Sequence, residues 1–140
     1  MIEAGNTILL LEDEAIIAFA LEDMLVADGA KVLMVGSVTE AAASIEQGGI
    51  DFAVLDVNVH GEKSYGVGEL LGRLGIPFVF ATGYGDASHP HEFGHIPTVS
   101  KPYTHQQIRS AMAEARLAVG GALPGRKRAL RGGENRPADL

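Results

Sequence analysis

Four carboxylates stand directly after two apolar segments of this chain. Glu12, Asp13 and Glu14 follow the run TILLL, and Asp56 closes the run DFAVLD. A carboxylate is costly to remove from water unless a cation pairs with it, so an aspartate at the end of a buried run requires a reason. Grouped carboxylates can bind a hard cation, and a single carboxylate can act as a nucleophile.

The apolar runs that precede these residues have the length of β-strands. They predict five strands, at residues 7–11, 31–35, 52–56, 76–81 and 97–100. Helical spacing between most of the strands indicates parallel βαβ units with right-handed crossovers. We therefore predict an α/β fold with an open, doubly wound parallel sheet and flanking helices.

Three helices have clear boundary signals. Apolar residues recur at helical spacing over residues 15–27, and Gly29 is placed to end that helix. The sequences SVTE, from Ser37, and THQQ, from Thr104, have the spacing of a capping box at a helix N-terminus. These signals predict one helix before the second strand, one before the third and one after the fifth.

Three other segments carry poor helix signals. Residues 65–74 (YGVGELLGRL) include three glycines, which predicts a weak helix at most. Residues 83–95 contain glycine and proline but no apolar stripe, so the fourth helix should be short, mobile or irregular. The segment 120–140 is rich in Gly, Pro and Arg. We predict that it is a disordered tail and that the folded domain spans residues 1–119.

Polar residues follow four of the five predicted strands. Since functional sites of open α/β sheets lie at the carboxyl ends of the strands, we expect these residues to converge. They are Glu12, Asp13, Asp56, Thr82 and Lys101. Three close negative charges are unfavourable unless a hard cation lies among them, and Mg²⁺ prefers such oxygen ligands. Asp56 could then form an acyl phosphate, with Lys101 and Thr82 facing the phosphoryl oxygens.

The overall composition is typical of one soluble domain. The 140 residues are 46% hydrophobic and 21% charged, include no cysteine and carry a net charge of −7. An acidic body argues against broad nucleic-acid binding, which requires neutralisation of phosphates. No apolar run reaches the roughly 18 residues that span a membrane, and the first residues lack a signal-peptide pattern. We therefore predict a cytoplasmic protein that binds neither nucleic acid nor membrane.

Four motifs in this order resemble the receiver domain of two-component response regulators (CheY-like). They are LLLEDE at residues 9–14, VLDVN at 54–58, AT at 81–82 and SKPY at 100–103, and the resemblance covers about residues 5–119. It implies a flavodoxin-like, five-stranded sheet with the order 2-1-3-4-5. By the same resemblance, the Lys101–Pro102 peptide bond is expected to be cis.

The resemblance also implies a role for each acidic residue. Asp13 and Asp56 are expected to bind Mg²⁺ directly, together with the backbone carbonyl of Asn58. Glu12 is expected to act through metal-bound water. Asp56 is the expected phosphoacceptor, and its phosphoryl group comes from a phosphohistidine on a sensor histidine kinase or a phosphotransfer protein.

The chain departs from the common receiver pattern at one position. By the resemblance, Thr82 hydrogen-bonds the phosphoryl group and Lys101 contacts both that group and the acidic cluster. Most receivers have Tyr or Phe three residues before this lysine, whereas here the residue is Thr98. The stretch PFVFATGY, at residues 77–84, instead resembles the FAT GUY subfamily, whose members lack that aromatic switch. We therefore expect Thr82 and Tyr84 to form the switch, through ordering of the loop that follows them.

These expectations describe a single-domain response regulator of a phosphorelay. Its output passes through contacts with a downstream protein, because no residues remain for an output domain. It catalyses its own phosphorylation and dephosphorylation but turns over no external product, so we do not expect an enzyme. Two alternatives remain open: a pseudo-receiver that only binds partners, and an aspartyl-phosphate phosphohydrolase. The second is disfavoured because Asn58 stands where that class needs an acid/base aspartate.

Overall fold

The chain folds into an open parallel sheet covered by helices on both faces. The computed structural model describes residues 5–83 and 90–121. The strands are β1 (Thr7–Leu11), β2 (Lys31–Val35), β3 (Phe52–Asp56), β4 (Asn58–Val59), β5 (Glu62–Lys63), β6 (Phe78–Thr82) and β7 (Thr98–Ser100). Five strands form one parallel sheet in the order β2-β1-β3-β6-β7, and β4 pairs with β5 in a separate hairpin. Because β6 and β7 are the fourth and fifth strands of the main sheet, the predicted flavodoxin-like order is confirmed.

The helices divide between the two faces of the sheet. They are α1 (Ala15–Ala27), α2 (Val38–Gln47), α3 (Tyr65–Leu74) and α4 (His105–Gly121). Apolar residues of α1 and α4 share one core cluster, and those of α2 and α3 share the other. Among the described helices, none has the length and apolar character required to cross a membrane.

Side-chain alternation along β1 explains why both faces are buried. Ile8 and Leu10 point to the face covered by α1 and α4, whereas Leu9 and Leu11 point to the face covered by α2 and α3. A strand that is covered on both sides reads as a continuous apolar run, because neither set of side chains meets water. All five residues of β3 are buried for the same reason, which places Asp56 at the end of the central strand.

Capping hydrogen bonds form at the N-termini of α2 and α4, where the sequence predicted capping boxes. The N–H of Glu40 donates to Ser37 Oγ at 3.1 Å, and Glu40 Oε1 accepts from the N–H of Gly36 at 3.0 Å. In the capping box before α4, the N–H of Gln107 donates to Thr104 Oγ1 at 3.0 Å, and Gln107 Oε1 accepts from the N–H of Thr104 at 2.8 Å. Backbone donors that the helices leave unpaired are thus satisfied by neighbouring side chains.

The segment 65–74 forms a regular ten-residue helix, although its glycines predicted a weak one. Gly68 accounts for the difference. A Cβ atom at this position would lie 3.2 Å from ring carbons of Phe78, Phe80 and Phe93. The glycine therefore lets α3 approach an aromatic cluster closely, and burial of Val67 and Leu71 beside it compensates for the low helix propensity.

The connection between β6 and β7 is described only in part. Its described end contains a single 3₁₀ turn at His91–Phe93, which agrees with the predicted irregular helix as far as the described residues reach. Residues 84–89 lie outside the described residues, and so does most of the predicted tail, from residue 122 onward. Strands β6 and β7 each begin one or two residues later than the sequence predicted, after Pro77 and Pro97.

Replacement of Gly68 by alanine tests this close packing. Alanine favours a helix over glycine by roughly 0.5 to 1 kcal/mol, but overpacking three rings costs about 1 to 3 kcal/mol. We expect Gly68→Ala to lower the free energy of unfolding by about 1 kcal/mol. Gly72→Ala is the matched control, because a Cβ there meets nothing within 4 Å, and it should stabilise the protein. Urea unfolding measures both, and equal stabilisation by the two variants contradicts the packing argument.

Candidate functional site

The polar residues predicted to converge do meet at the carboxyl edge of the sheet. Asp56 ends β3 directly beside Ala81 of β6, and Thr82 lies beside Ser100 of β7. The N–H of Glu12 donates to the carbonyl of Val35, which holds the turn after β1 against the end of β2. The strand register therefore brings residues that are far apart in the sequence to one small region.

The ammonium group of Lys101 lies at the centre of this region. Its Nζ is 2.7 Å from Glu12 Oε1, 3.0 Å from Asp56 Oδ2 and 3.3 Å from Glu14 Oε1. The N–H of Lys101 donates to the carbonyl of Thr82 at 2.8 Å, which anchors the lysine to the end of β6. The Lys101–Pro102 bond is cis, as the resemblance implied.

Glu14 is a member of the site that the sequence pattern did not predict. It stands in the run Glu12-Asp13-Glu14, but neither the pattern nor the resemblance gave it a role in the site. Its side chain is 62% exposed, but its carboxylate still reaches Lys101. One feature of the sequence could have indicated this contact. In a turn from a strand to a helix, a third carboxylate can face the same cation as the first.

Burial and charge shift the proton affinities of this cluster in a consistent way. Burial raises the pKa of Glu12 to about 7, and the negative charge of Asp56 adds to this, although Lys101 and the N–H of Glu14 act against it. Burial by itself lowers the pKa of Lys101, but its hydrogen bonds to Glu12 and Asp56 outweigh that effect and hold this pKa above its usual value. Burial also raises the pKa of Tyr103, to about 12. The site therefore keeps a charged lysine beside crowded carboxyl groups.

The acidic residues fit the requirements of a magnesium ion. One carboxylate oxygen from each of Glu12, Asp13 and Asp56 lies within 4.8 Å of the others. Asp13, Asp56 and Asn58 line a cavity of about 350 Å³. Asn58 Oδ1 is buried without a hydrogen-bond partner among the described residues. Oxygen ligands and room for water match the coordination that Mg²⁺ prefers.

A tight hairpin, which the sequence pattern did not predict, forms one wall of the cavity. It joins β4 to β5 through His60 and Gly61, whose φ angles are 52° and 80°. Positive φ at both residues of a two-residue loop is the geometry of a type I′ turn. The turn brings the N–H of His60 to Asp13 Oδ2, at 2.9 Å, and thereby orients an expected metal ligand. A histidine before glycine was the available signal, because His tolerates positive φ more readily than most residues.

Of the two predicted switch residues, Thr82 lies within the described residues and Tyr84 does not. Thr82 is buried at the end of β6, and its hydroxyl donates a long hydrogen bond of 3.5 Å to the carbonyl of Val99. Such a bond is weak, so the hydroxyl can exchange it for a better acceptor. Tyr84 lies outside the described residues. Thr98, which replaces the usual aromatic residue, is exposed on β7 and bonds the carbonyl of Ile96.

Comparison with solved structures identifies the family of this chain. SdrG from Sphingomonas melonis Fr1 is 45% identical, with a TM-score of 0.73, and the match covers 82% of this chain and 99% of that one. The BeF3-activated conformation of SdrG from Pseudomonas melonis Fr1 is 44% identical, covers 81% and 98%, and has a TM-score of 0.66. A response regulator receiver protein from Sinorhizobium medicae WSM419 is 26% identical, covers 82% and 97%, and has a TM-score of 0.68.

The fold and the acidic site define a receiver domain, and the comparisons agree. This chain belongs to the response regulator receiver domain family. No protein-family model matches the sequence, and no curated protein matches it either.

The pKa of Glu12 predicts a specific pH dependence of stability in Mg²⁺-free buffer. The folded protein keeps the Glu12 proton up to about pH 7, whereas the ordinary pKa is 4.5. Between these values the folded state binds more protons than the unfolded state, so Glu12 lowers the free energy of unfolding as pH rises. We expect Glu12→Gln to remove this part of the pH dependence, measured by urea unfolding in EDTA at about pH 5 and pH 8. Parallel pH profiles for wild type and variant contradict the assignment.

Proposed function

We propose that this receiver domain accepts a phosphoryl group on Asp56 in a Mg²⁺-dependent reaction. The donor is a phosphohistidine of a sensor histidine kinase or phosphotransfer protein, and the output passes through contacts with a downstream protein. The observation that carries the proposal is the contact of Lys101 with Asp56 Oδ2 at 3.0 Å, at the end of a fully buried strand.

The side chain of Asp56 has the properties of an acceptor. It lines a cavity that opens to solvent, yet only 5% of the side chain is exposed, so one small part of a carboxylate faces an incoming group. Its Oδ1 accepts a hydrogen bond from the N–H of Asn58 at 3.3 Å, while Oδ2 is held by Lys101. Attack by a carboxylate oxygen on phosphorus forms the acyl phosphate, and the bond between phosphorus and the donor's imidazole nitrogen breaks.

Lys101 and Thr82 are placed to receive the negative charge of the phosphoryl group. Lys101 keeps its proton because of the surrounding carboxylates, and it is already next to Asp56. Thr82 follows Ala81, which is the direct neighbour of Asp56 in the sheet. Preorganised donors of this kind stabilise the transition state of phosphoryl transfer, because they need little rearrangement when the charge develops.

Asp13 and Asp56 would hold Mg²⁺ directly, with the backbone carbonyl of Asn58 as a third ligand and Glu12 acting through water. Bound Mg²⁺ supplies positive charge that offsets the acidic cluster and the phosphoryl oxygens. The clustered oxygens of Glu12, Asp13 and Asp56 support this assignment. The cation requirement follows from electrostatics, since one lysine cannot balance the carboxylates and an arriving phosphate together.

Regulation in the proposed function follows the switch expected from the FAT GUY resemblance. Thr82 exchanges its weak hydrogen bond to the carbonyl of Val99 for one to the phosphoryl group. The loop that includes Tyr84 then becomes ordered. We also propose that the protein acts on itself alone, so that it catalyses its own phosphorylation and dephosphorylation without an external product. A cytoplasmic location is part of the same proposal, since the phosphohistidine donors act there.

Phosphorylation by a small acyl-phosphate donor tests the proposed function. We expect intact-mass spectrometry to show one added phosphoryl group, dependent on Mg²⁺, in wild type and not in Asp56→Asn. Asp23→Asn is the matched control, because it removes an aspartate on α1 away from the site and should leave the adduct unchanged. SdrG has a BeF3-activated conformation, so beryllofluoride binding is a second measurement. A wild-type protein that neither forms the adduct nor binds beryllofluoride supports the pseudo-receiver instead.

A further inference from the structure

We propose that His60 is an additional ligand side chain of the cation site, and that it shifts the metal preference from Mg²⁺ towards divalent transition metals such as Mn²⁺. This inference rests on the proposed function, since it assumes that a cation binds between Asp13 and Asp56. It concerns a residue to which the receiver resemblance assigns no role.

The first observation is the position of the His60 imidazole relative to Asp13. Its Nδ1 lies 3.6 Å from Asp13 Oδ2, and both residues line the cavity that contains Asp56. Two ligand atoms of one metal ion lie roughly 3 to 3.5 Å apart when each bond is about 2.1 Å long. The separation in the structure is therefore close to the separation that a shared metal ion requires.

The second observation is that the hairpin fixes the backbone of His60 but leaves the imidazole free to turn. The N–H of His60 is bound to Asp13 Oδ2, and the pairing of Asn58 with Lys63 closes the turn below it. The side chain itself is 68% exposed, so rotation about its side-chain bonds meets little resistance. The inference requires a rotation of the imidazole that brings a ring nitrogen and the Asp13 carboxylate to the same ion.

The chemistry of the donor atoms gives this arrangement a consequence. Carboxylate and carbonyl oxygens suit Mg²⁺, which gains little from an imidazole nitrogen. Transition metals bind imidazole more strongly, and affinity for nitrogen donors rises along the first-row series. A nitrogen donor beside the carboxylates of Asp13 and Asp56 therefore raises affinity for Mn²⁺ more than affinity for Mg²⁺. The alternative is that the imidazole only contacts Asp13 and touches no metal.

Binding of Mn²⁺ alone to the full chain separates these possibilities. Continuous-wave EPR measures the Mn²⁺ dissociation constant, and electron spin-echo modulation from ¹⁴N detects a directly bound nitrogen. We expect nitrogen modulation in wild type that disappears when excess Mg²⁺ displaces the Mn²⁺. In His60→Asn the modulation should be absent and Mn²⁺ affinity should fall roughly tenfold, with a smaller change for Mg²⁺. Asparagine suits this test because it also tolerates positive φ, so the turn is kept.

His95→Asn is the matched control, because His95 is exposed and lines a different cavity. It should leave both the modulation and the affinity unchanged. Mn²⁺ that binds and is displaced by Mg²⁺, but shows no nitrogen modulation, overturns the role of His60 and leaves the proposed function intact. His60 is likewise excluded as a ligand if the modulation survives in His60→Asn or is lost in His95→Asn. Absence of any Mn²⁺ binding that Mg²⁺ displaces overturns both the inference and the proposed magnesium site.

Discussion

The site depends on one largely buried ammonium group that is shared among several carboxylates. Lys101 contacts Glu12, Asp56 and Glu14 at once, and these residues come from separate strand ends and loops. Burying the lysine is unfavourable unless such partners surround it, and crowding the carboxylates is unfavourable without the lysine. The lysine and the carboxylates therefore stabilise each other. An anion that reaches Asp56 meets an ammonium group that is already in place.

The sheet is what allows this arrangement to exist. Strands β1, β3, β6 and β7 run in parallel, so their carboxyl ends lie at one edge and their loops face each other. Buried side chains on both faces fix the register, because a slip of one residue would move each side chain into the opposite apolar layer, where its size and shape do not match its neighbours. The position of Asp56 is thus set by the packing of Val54 and Leu55 beneath it, and its carboxylate is held by Lys101 and the N–H of Asn58.

An aromatic cluster completes the face of the sheet where the fourth helix is expected. Phe93, in the 3₁₀ turn, stacks on Tyr65 with ring centroids 5.2 Å apart and meets Phe80 edge-on at 5.6 Å. These rings cover apolar surface of β6, the strand that ends in Thr82. Gly68 makes room for them on α3.

Local interactions decided what the sequence could predict, and long-range contacts decided the rest. The strands and both capping boxes could be predicted from the residues, because apolar periodicity and caps depend on residues a few positions apart. The sheet order was implied by the resemblance to receiver domains. The convergence of Asp13, Asp56 and Lys101 also followed, since parallel strands end at one edge. Only the tertiary structure shows that Glu14 contacts Lys101 and that His60 lies beside Asp13. It also shows that aromatic rings pack against Gly68 in α3. Each of these contacts joins side chains from segments that are distant in the sequence, so local sequence patterns alone do not determine it.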